Sequence, residues 1–381
     1  MEFRFSKELE TFRQDIRSYL DAELTKEFRA NEVEEGGWAP SFSRKLGSRG
    51  YIAFAWPTEY GGMGGSHLEQ LVYSEELARA DAPTRFHFMA SSLVGPSILL
   101  YGSDEQKKDY LPRIAHGEIS FCQGFSEPNS GSDLASLSIR ATREGDSYVI
   151  NGQKIWTSDA HRATYCWLGA RTDPEAPKHK GISTFVVDMS LPGIVVQPLL
   201  TMNGHHHFNE VFFNDVVIPA DALVGEENRG WYQMTTTLDF ERSGAARYVG
   251  LQRTIDMLLD RARSLPPASA DTLRLELADL QVACEVGRLI SYRVAYMQSQ
   301  GEIPNSEASM SKLFGSSLEQ QVMNVGMRVH GLAGNECAMD SENSLDIADL
   351  YMWSAAATIR GGTNEVQKNI IAGRGLGLPR G

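Results

Sequence analysis

Ser147-Tyr148-Val149-Ile150-Asn151-Gly152-Gln153-Lys154-Ile155-Trp156 interrupts a chain whose patterning is otherwise mostly helical. Its β-branched and aromatic residues flank an Asn-Gly pair, a dipeptide suited to the type I′ turn, so the stretch predicts a β-hairpin. Further β-branched segments follow at Ile182 to Val187, Gly193 to Val196 and Val211 to Ile218, separated by Pro and Gly. Together they predict a compact β domain over residues 119–226.

The flanks read differently. In residues 1–118, Ser6 is placed to cap a helix whose apolar face is Leu9, Phe12, Ile16 and Leu20, with Glu8 and Glu10 at its positive end. Leu68 to Ala80 carries a second helical face, and Pro57 with Gly61-Gly62-Met63-Gly64-Gly65 separates the two. In residues 227–381, Leu251 to Arg263, Thr272 to Gln298 and Ser309 to Val329 are long amphipathic stretches, as in a helical bundle. Ser264 to Asp271 reads as a loop between them. The expected fold is mainly α with an inserted β domain.

Composition narrows the function. With 381 residues, 42% hydrophobic and 22% charged, the chain is globular rather than disordered. A net charge of −13 leaves no surplus of Lys and Arg to displace phosphate counterions, so a nucleic-acid partner is not expected. No run reaches the ~20 apolar residues of a membrane span. Met1 to Arg13 has no signal-peptide core. Cys122, Cys166, Cys284 and Cys337 lie far apart with no CxxC, as expected of free thiols in a reducing cytosol. A soluble, cytoplasmic protein is predicted. His205-His206-His207 cannot all face one ion, so no metal is expected there. Gly373-Arg374-Gly375-Leu376-Gly377 lacks room for a βαβ unit, and no hydrolase elbow or P-loop occurs.

The informative segment is Phe121-Cys122-Gln123-Gly124-Phe125-Ser126-Glu127-Pro128-Asn129-Ser130-Gly131-Ser132-Asp133, followed by Lys154-Ile155-Trp156-Thr157-Ser158. It offers hydroxyls, backbone N–H groups and an indole able to cover an aromatic ring system. Read from the residues alone, the segment suits a hydroxyl-rich loop in a β domain, and a Trp buried in the core is the more frequent outcome.

These segments resemble the acyl-CoA dehydrogenase family. So do Trp56-Pro57-Thr58-Glu59-Tyr60-Gly61-Gly62, Phe212 to Pro219, Gly225 to Trp231 and Gly361-Gly362-Thr363-Asn364-Glu365-Val366-Gln367, all in the family's order. The resemblance implies a helical domain, a middle β-barrel and a C-terminal four-helix bundle. It also implies FAD, an acyl-CoA thioester, and electron transfer to an electron-transferring flavoprotein. Gln123, Phe125, Ser126, Ser132, Trp156 and Ser158 then look like the flavin cradle, and Thr363 and Glu365 like contacts to the rest of the FAD. Ser132, Asp239 and Arg242 are expected at the substrate. The Gly361 N–H would stabilise the thioester oxygen as α-proton removal charges it. A helical pattern around Ser91 to Leu100 is expected to line the acyl pocket.

Departures from the family are as informative. In many members a Glu precedes the Gly-Thr of the C-terminal motif, and Gly361 stands there instead. A second family arrangement puts the base on a bundle helix before an Arg, and Leu238-Asp239-Phe240-Glu241-Arg242 matches it, making Glu241 the expected base. The family's Arg-x-x-Phe-Gly, which reaches a neighbouring subunit's FAD, is replaced by Arg263-Ser264-Leu265-Pro266-Pro267. Its Gln-x-x-Gly-Gly is replaced by Arg328-Val329-His330-Gly331-Leu332. The expectation is a heteromer in which a homologous partner supplies what this chain lacks, resembling two-plus-two dehydrogenases of bulky, steroid-side-chain acyl-CoAs. The competing expectations are a non-catalytic stabilising subunit, a homotetrameric short- or medium-chain dehydrogenase, and a flavin oxidase or monooxygenase.

Overall fold

The computed structural model describes residues 5–240, 244–335 and 346–379, the side chains of 236–240 and 267–270 apart. Its helices are α1 (Lys7–Glu23), α2 (Lys26–Glu32), α3 (Pro40–Gly47), α4 (His67–Arg79), α5 (Arg85–Met89), α6 (Gly95–Tyr101) and α7 (Asp104–Ala115) before the strands. After them come α8 (Gly230–Phe240), α9 (Ala245–Arg263), α10 (Pro267–Ser299), α11 (Asn305–His330), α12 (Ile347–Ser354) and α13 (Asn364–Ile370). No helix among the described residues is long and apolar enough to cross a membrane. Cys122, Cys166 and Cys284 are buried free thiols, and Cys337 lies outside the described residues.

The chain forms two compact units. One gathers residues 26–65 and 83–241; the other joins 1–25 and 66–82 to 242–381.

The first unit is built on one eight-stranded sheet. Its strands are β1 (Phe121–Gly124), β2 (Arg140–Glu144), β3 (Ser147–Lys154), β4 (Tyr165–Arg171), β5 (Ile182–Asp188), β6 (Ile194–Leu200), β7 (His206–Pro219) and β8 (Leu223–Val224). The order is β6-β7-β3-β2-β4-β5-β8, with β1 parallel to β4. Trp167, Tyr148, Phe185 and Phe213 fill its core.

The expected hairpin at Asn151-Gly152 is not there. β3 runs straight through both residues, and its register with β7 shifts between Ile150 and Gly152. Gly152 has φ +144°, and a Cβ on it would meet Ile139 Cα at 2.9 Å, so the glycine makes a bulge rather than a turn. Asn151 spends its carboxamide on Asp215, accepting from the backbone N–H and donating to the carboxylate, both at 2.9 Å. The turn lies earlier, at Gly145-Asp146 between β2 and β3, where Gly145 supplies the positive φ.

The second unit is built of helices and their connections, with no strand among its described residues. Ser6 caps α1 by accepting from the Leu9 N–H. Ser66 and Glu69 form a capping box on α4. The expected loop from Ser264 to Asp271 is shorter than its sequence suggests. α10 begins at Pro267, whose fixed φ suits a first helical position.

Two adjacent carboxylates on α4 fasten α1 and α10. Glu75 receives Arg13 at 2.8 Å and the Tyr292 hydroxyl at 2.7 Å, while Glu76 receives Arg13, Arg17 and Arg79 at 2.8–3.0 Å. Burial alone would raise the Glu76 pKa, yet the hydrogen bonds from Arg17, Arg79 and Arg13 hold it down to about 2. A depressed carboxyl pKa contributes stability above its unfolded value and loses it as pH falls through the folded one. Glu76→Gln is therefore expected to cost about 3 kcal/mol at pH 7. The gap to the parent should narrow steadily from about pH 4.5 toward pH 2. Urea unfolding across that range checks it; a pH-independent gap would sink the assignment.

Candidate functional site

The chemistry-bearing residues of the first unit converge where β1 and β3 end. Lys154 is completely buried, and its ammonium donates to the Phe125 carbonyl at 2.8 Å and pairs with Glu127 at 3.0 Å. Burial lowers its pKa to about 8, against the pull of the Glu127 charge. Glu127 also accepts from the Ser138 N–H and hydroxyl, both at 2.7 Å, and from the Ile139 N–H at 2.9 Å. Burial pushes its pKa up, but Lys154 and these donors bring it below the ordinary value. The Ile155 N–H reaches the Ser126 carbonyl at 2.9 Å. One buried ion pair thus holds the 125–127 and 154–156 segments together.

Trp156 follows with φ +60°, a left-handed conformation that a bulky residue rarely adopts. Its ring is 59% exposed and meets Phe208 edge-on, 5.8 Å between centroids. The reading of a core tryptophan is therefore excluded. Among the described residues the side chains of Gln123, Ser126, Ser132 and Ser158 make no hydrogen bond. The buried Thr157 hydroxyl also has no partner there. Ser132 is exposed on the loop beyond the Glu127–Ser130 bridge. Phe125 is buried.

In the second unit, Gly361 and Gly362 take φ +65° and +84°, and Thr363 caps α13 by accepting from the Val366 N–H at 3.2 Å. That leaves the Thr363 O–H free to donate. Glu365 is exposed in the first turn of α13. The loop is tied down from α11: Lys312 donates to Asn364 Oδ1 at 3.1 Å and to the Ala357 carbonyl at 3.3 Å, and Ser316 donates to Asn364 at 2.7 Å. Burial, with Arg247 and Arg360 nearby, lowers the Lys312 pKa to about 8. No sequence pattern marked Lys312, since a lone lysine in an amphipathic helix normally faces water. Glu241 and Arg242 lie outside the described residues, as does the side chain of Asp239.

A flat exposed indole flanked by uncommitted hydroxyls and an orphaned buried Thr hydroxyl fits a planar cofactor rich in acceptors, as a flavin is. The comparisons bear directly on this arrangement. Models of the acyl-CoA dehydrogenase N-terminal, middle and C-terminal domains match residues 6–118, 122–216 and 228–376. Acyl-CoA dehydrogenase FadE29 of Mycobacterium tuberculosis is 36% identical over 96% of both chains. The chain belongs to the acyl-CoA dehydrogenase family.

Acyl-CoA dehydrogenases are flavoprotein oxidoreductases acting on CH–CH bonds, and this chain shares their three-domain fold of helical N- and C-terminal parts around a middle β-sheet domain. Among solved structures, the Tcur3481-Tcur3483 steroid ACAD matches with a TM-score of 0.91 at 35% identity, covering all of both chains. The ChsE4-ChsE5 complex from Mycobacterium tuberculosis matches with a TM-score of 0.88 at 36% identity, again over all of both chains.

Proposed function

We propose that this acyl-CoA dehydrogenase binds FAD against Trp156 and forms the catalytic subunit of a heteromer that desaturates a bulky, steroid-side-chain acyl-CoA. The observation that carries the flavin is the exposed Trp156 ring with the uncommitted Ser126 and Ser158 hydroxyls beside it. FAD held there would supply the acceptor for the β-hydrogen leaving as hydride. Glu241 takes the α-proton on its carboxylate, with Asp239 and Arg242 placed next to it in sequence to orient substrate and base. The Gly361 N–H is assigned to the thioester oxygen, lowering the cost of charge developing there. Gln123, Phe125 and Ser132 complete the flavin and substrate contacts, and Thr363 and Glu365 serve the rest of the FAD. An electron-transferring flavoprotein would be the electron acceptor.

The heteromer is supported by what this chain would present to a neighbour. Leu332, where the family has a glycine, is 89% exposed, so a side chain projects where backbone must approach a nucleotide. Arg328, at the family's glutamine position, is committed to Glu276. On α10, Leu275, Val282, Leu289 and Tyr296 recur every seventh residue and are all exposed, a seam suited to another helix. The steroid substrate is supported by the likeness to the steroid ACAD structures.

Purification tests the reading. Expressed alone, the chain is expected to be deficient in FAD. With a homologous partner subunit it should fill, and the flavin should bleach anaerobically with steroid-side-chain acyl-CoAs. A stable homotetramer with full FAD occupancy and no partner would refute the heteromer.

A further inference from the structure

The run His205-His206-His207 takes no part in the catalytic reading, yet His206 has defined partners close to Trp156. Asn209 on β7 is fully buried. Its backbone carbonyl accepts from the Thr157 N–H at 3.0 Å, and its side-chain Nδ2 donates to the Thr157 carbonyl at 2.9 Å. One residue therefore grips both backbone polar groups next to Trp156.

Hydrogen-bond chemistry then fixes two imidazoles. With Nδ2 donating, Asn209 Oδ1 is left as an acceptor, so His206 Nε2, 2.8 Å away, carries a proton toward it. The second hydrogen of Nδ2 faces His161 Nδ1 at 3.2 Å, so that nitrogen is unprotonated. The two rings stack, with centroids 3.9 Å apart and planes 23° from parallel. Partial burial, with His206 and Arg162 alongside, lowers the His161 pKa and keeps this nitrogen an acceptor.

We propose that His161, His206 and Asn209 form a positioning relay that holds Trp156 in its left-handed conformation and so sets the indole wall. A residue in such a conformation costs about 1–3 kcal/mol and persists only where its surroundings over-determine it. The bonds that do so are Ile155 to Ser126 on one side and the paired Thr157–Asn209 bonds on the other. None of the three relay residues is assigned to touch cofactor or substrate. That the wall serves a flavin rests on the function proposed above; the hold on Trp156 does not.

The test uses protein labelled with 5-fluorotryptophan, in which Trp156 is one of six fluorine signals and is identified by Trp156→Phe. Asn209→Ala and His206→Ala are expected to shift or broaden the Trp156 signal and leave the other five in place. His206→Gln, which keeps an N–H donor at that reach, should restore the signal. Should Asn209→Ala fail to fold, the His206 pair decides. A parent-like Trp156 signal in His206→Ala, or no restoration by His206→Gln, overturns the relay. Titration of the flavin-free complex with its homologous partner subunit by FAD reads the second link, and His206→Ala should bind about tenfold more weakly than His206→Gln. A displaced Trp156 signal with unaltered FAD affinity would leave the relay standing and overturn the assignment of the wall to flavin.

Discussion

Glu241→Gln is expected to lower turnover by about a thousandfold while FAD stays bound, since general-base catalysis contributes roughly 10²–10⁴. Glutamine matches glutamate in shape and hydrogen-bonding reach but cannot take the α-proton. The other family position for a base is Gly361, which has no side chain and cannot substitute. Anaerobic bleaching of the flavin by an acyl-CoA measures the loss directly, because it reports the chemical step without an external acceptor. A drop of less than tenfold would remove Glu241 from the mechanism and favour a subunit that stabilises an active homologue. Retained flavin absorbance separates lost chemistry from lost cofactor.

The largest effect on stability is expected at Lys154. Lys154→Ala leaves the Glu127 carboxylate buried without its counter-charge and the Phe125 carbonyl without a donor. Breaking a buried pair in this way typically costs about 3–5 kcal/mol. Replacing both charges by neutral residues of similar volume, Lys154→Met with Glu127→Gln, should recover part of that, because no uncompensated charge remains. Urea unfolding of the single and double variants measures both, and a single-variant loss below about 1 kcal/mol would contradict the burial of this pair. The Lys154→Ala protein should also bind FAD poorly, since only the Ile155–Ser126 backbone bond would then hold the Ser126 and Trp156 segments to each other.

The sequence was readable where a signal is local. Ser6 as a cap, the apolar stripe through Ile16 and Leu20, and the strands around residues 182–188 and 211–218 all rest on neighbours along the chain. The Asn-Gly signal misled because turn propensity at residues 151–152 competes with pairing to both β2 and β7, and Gly145-Asp146 was free to turn instead. β4 passed unnoticed: Cys166 to Ala170 is an unbroken buried apolar run with no alternation, as in a strand buried on both faces. At the site, Ser126, Trp156 and Ser158 stood out through their motif. Asn209 and Lys312 did not, because Thr157 and His161 for the one, and Ala357 and Asn364 for the other, lie 40 or more residues away and only the folded chain brings them together.

The helical unit is discontinuous, and that bears on how the protein is made. α1 and α4 leave the ribosome early, but Arg288 and Tyr292, which complete the clasp on Glu75, are synthesised more than 200 residues later. Residues 26–65 and 83–241 are all translated before α9 begins, so the sheet-containing unit has its whole sequence in hand first. Until α9 and α10 emerge, Leu71 and Leu68 on α4 lack the cover that Ala245, Ala295 and Tyr292 later give them, so apolar surface on the nascent chain waits for its partners.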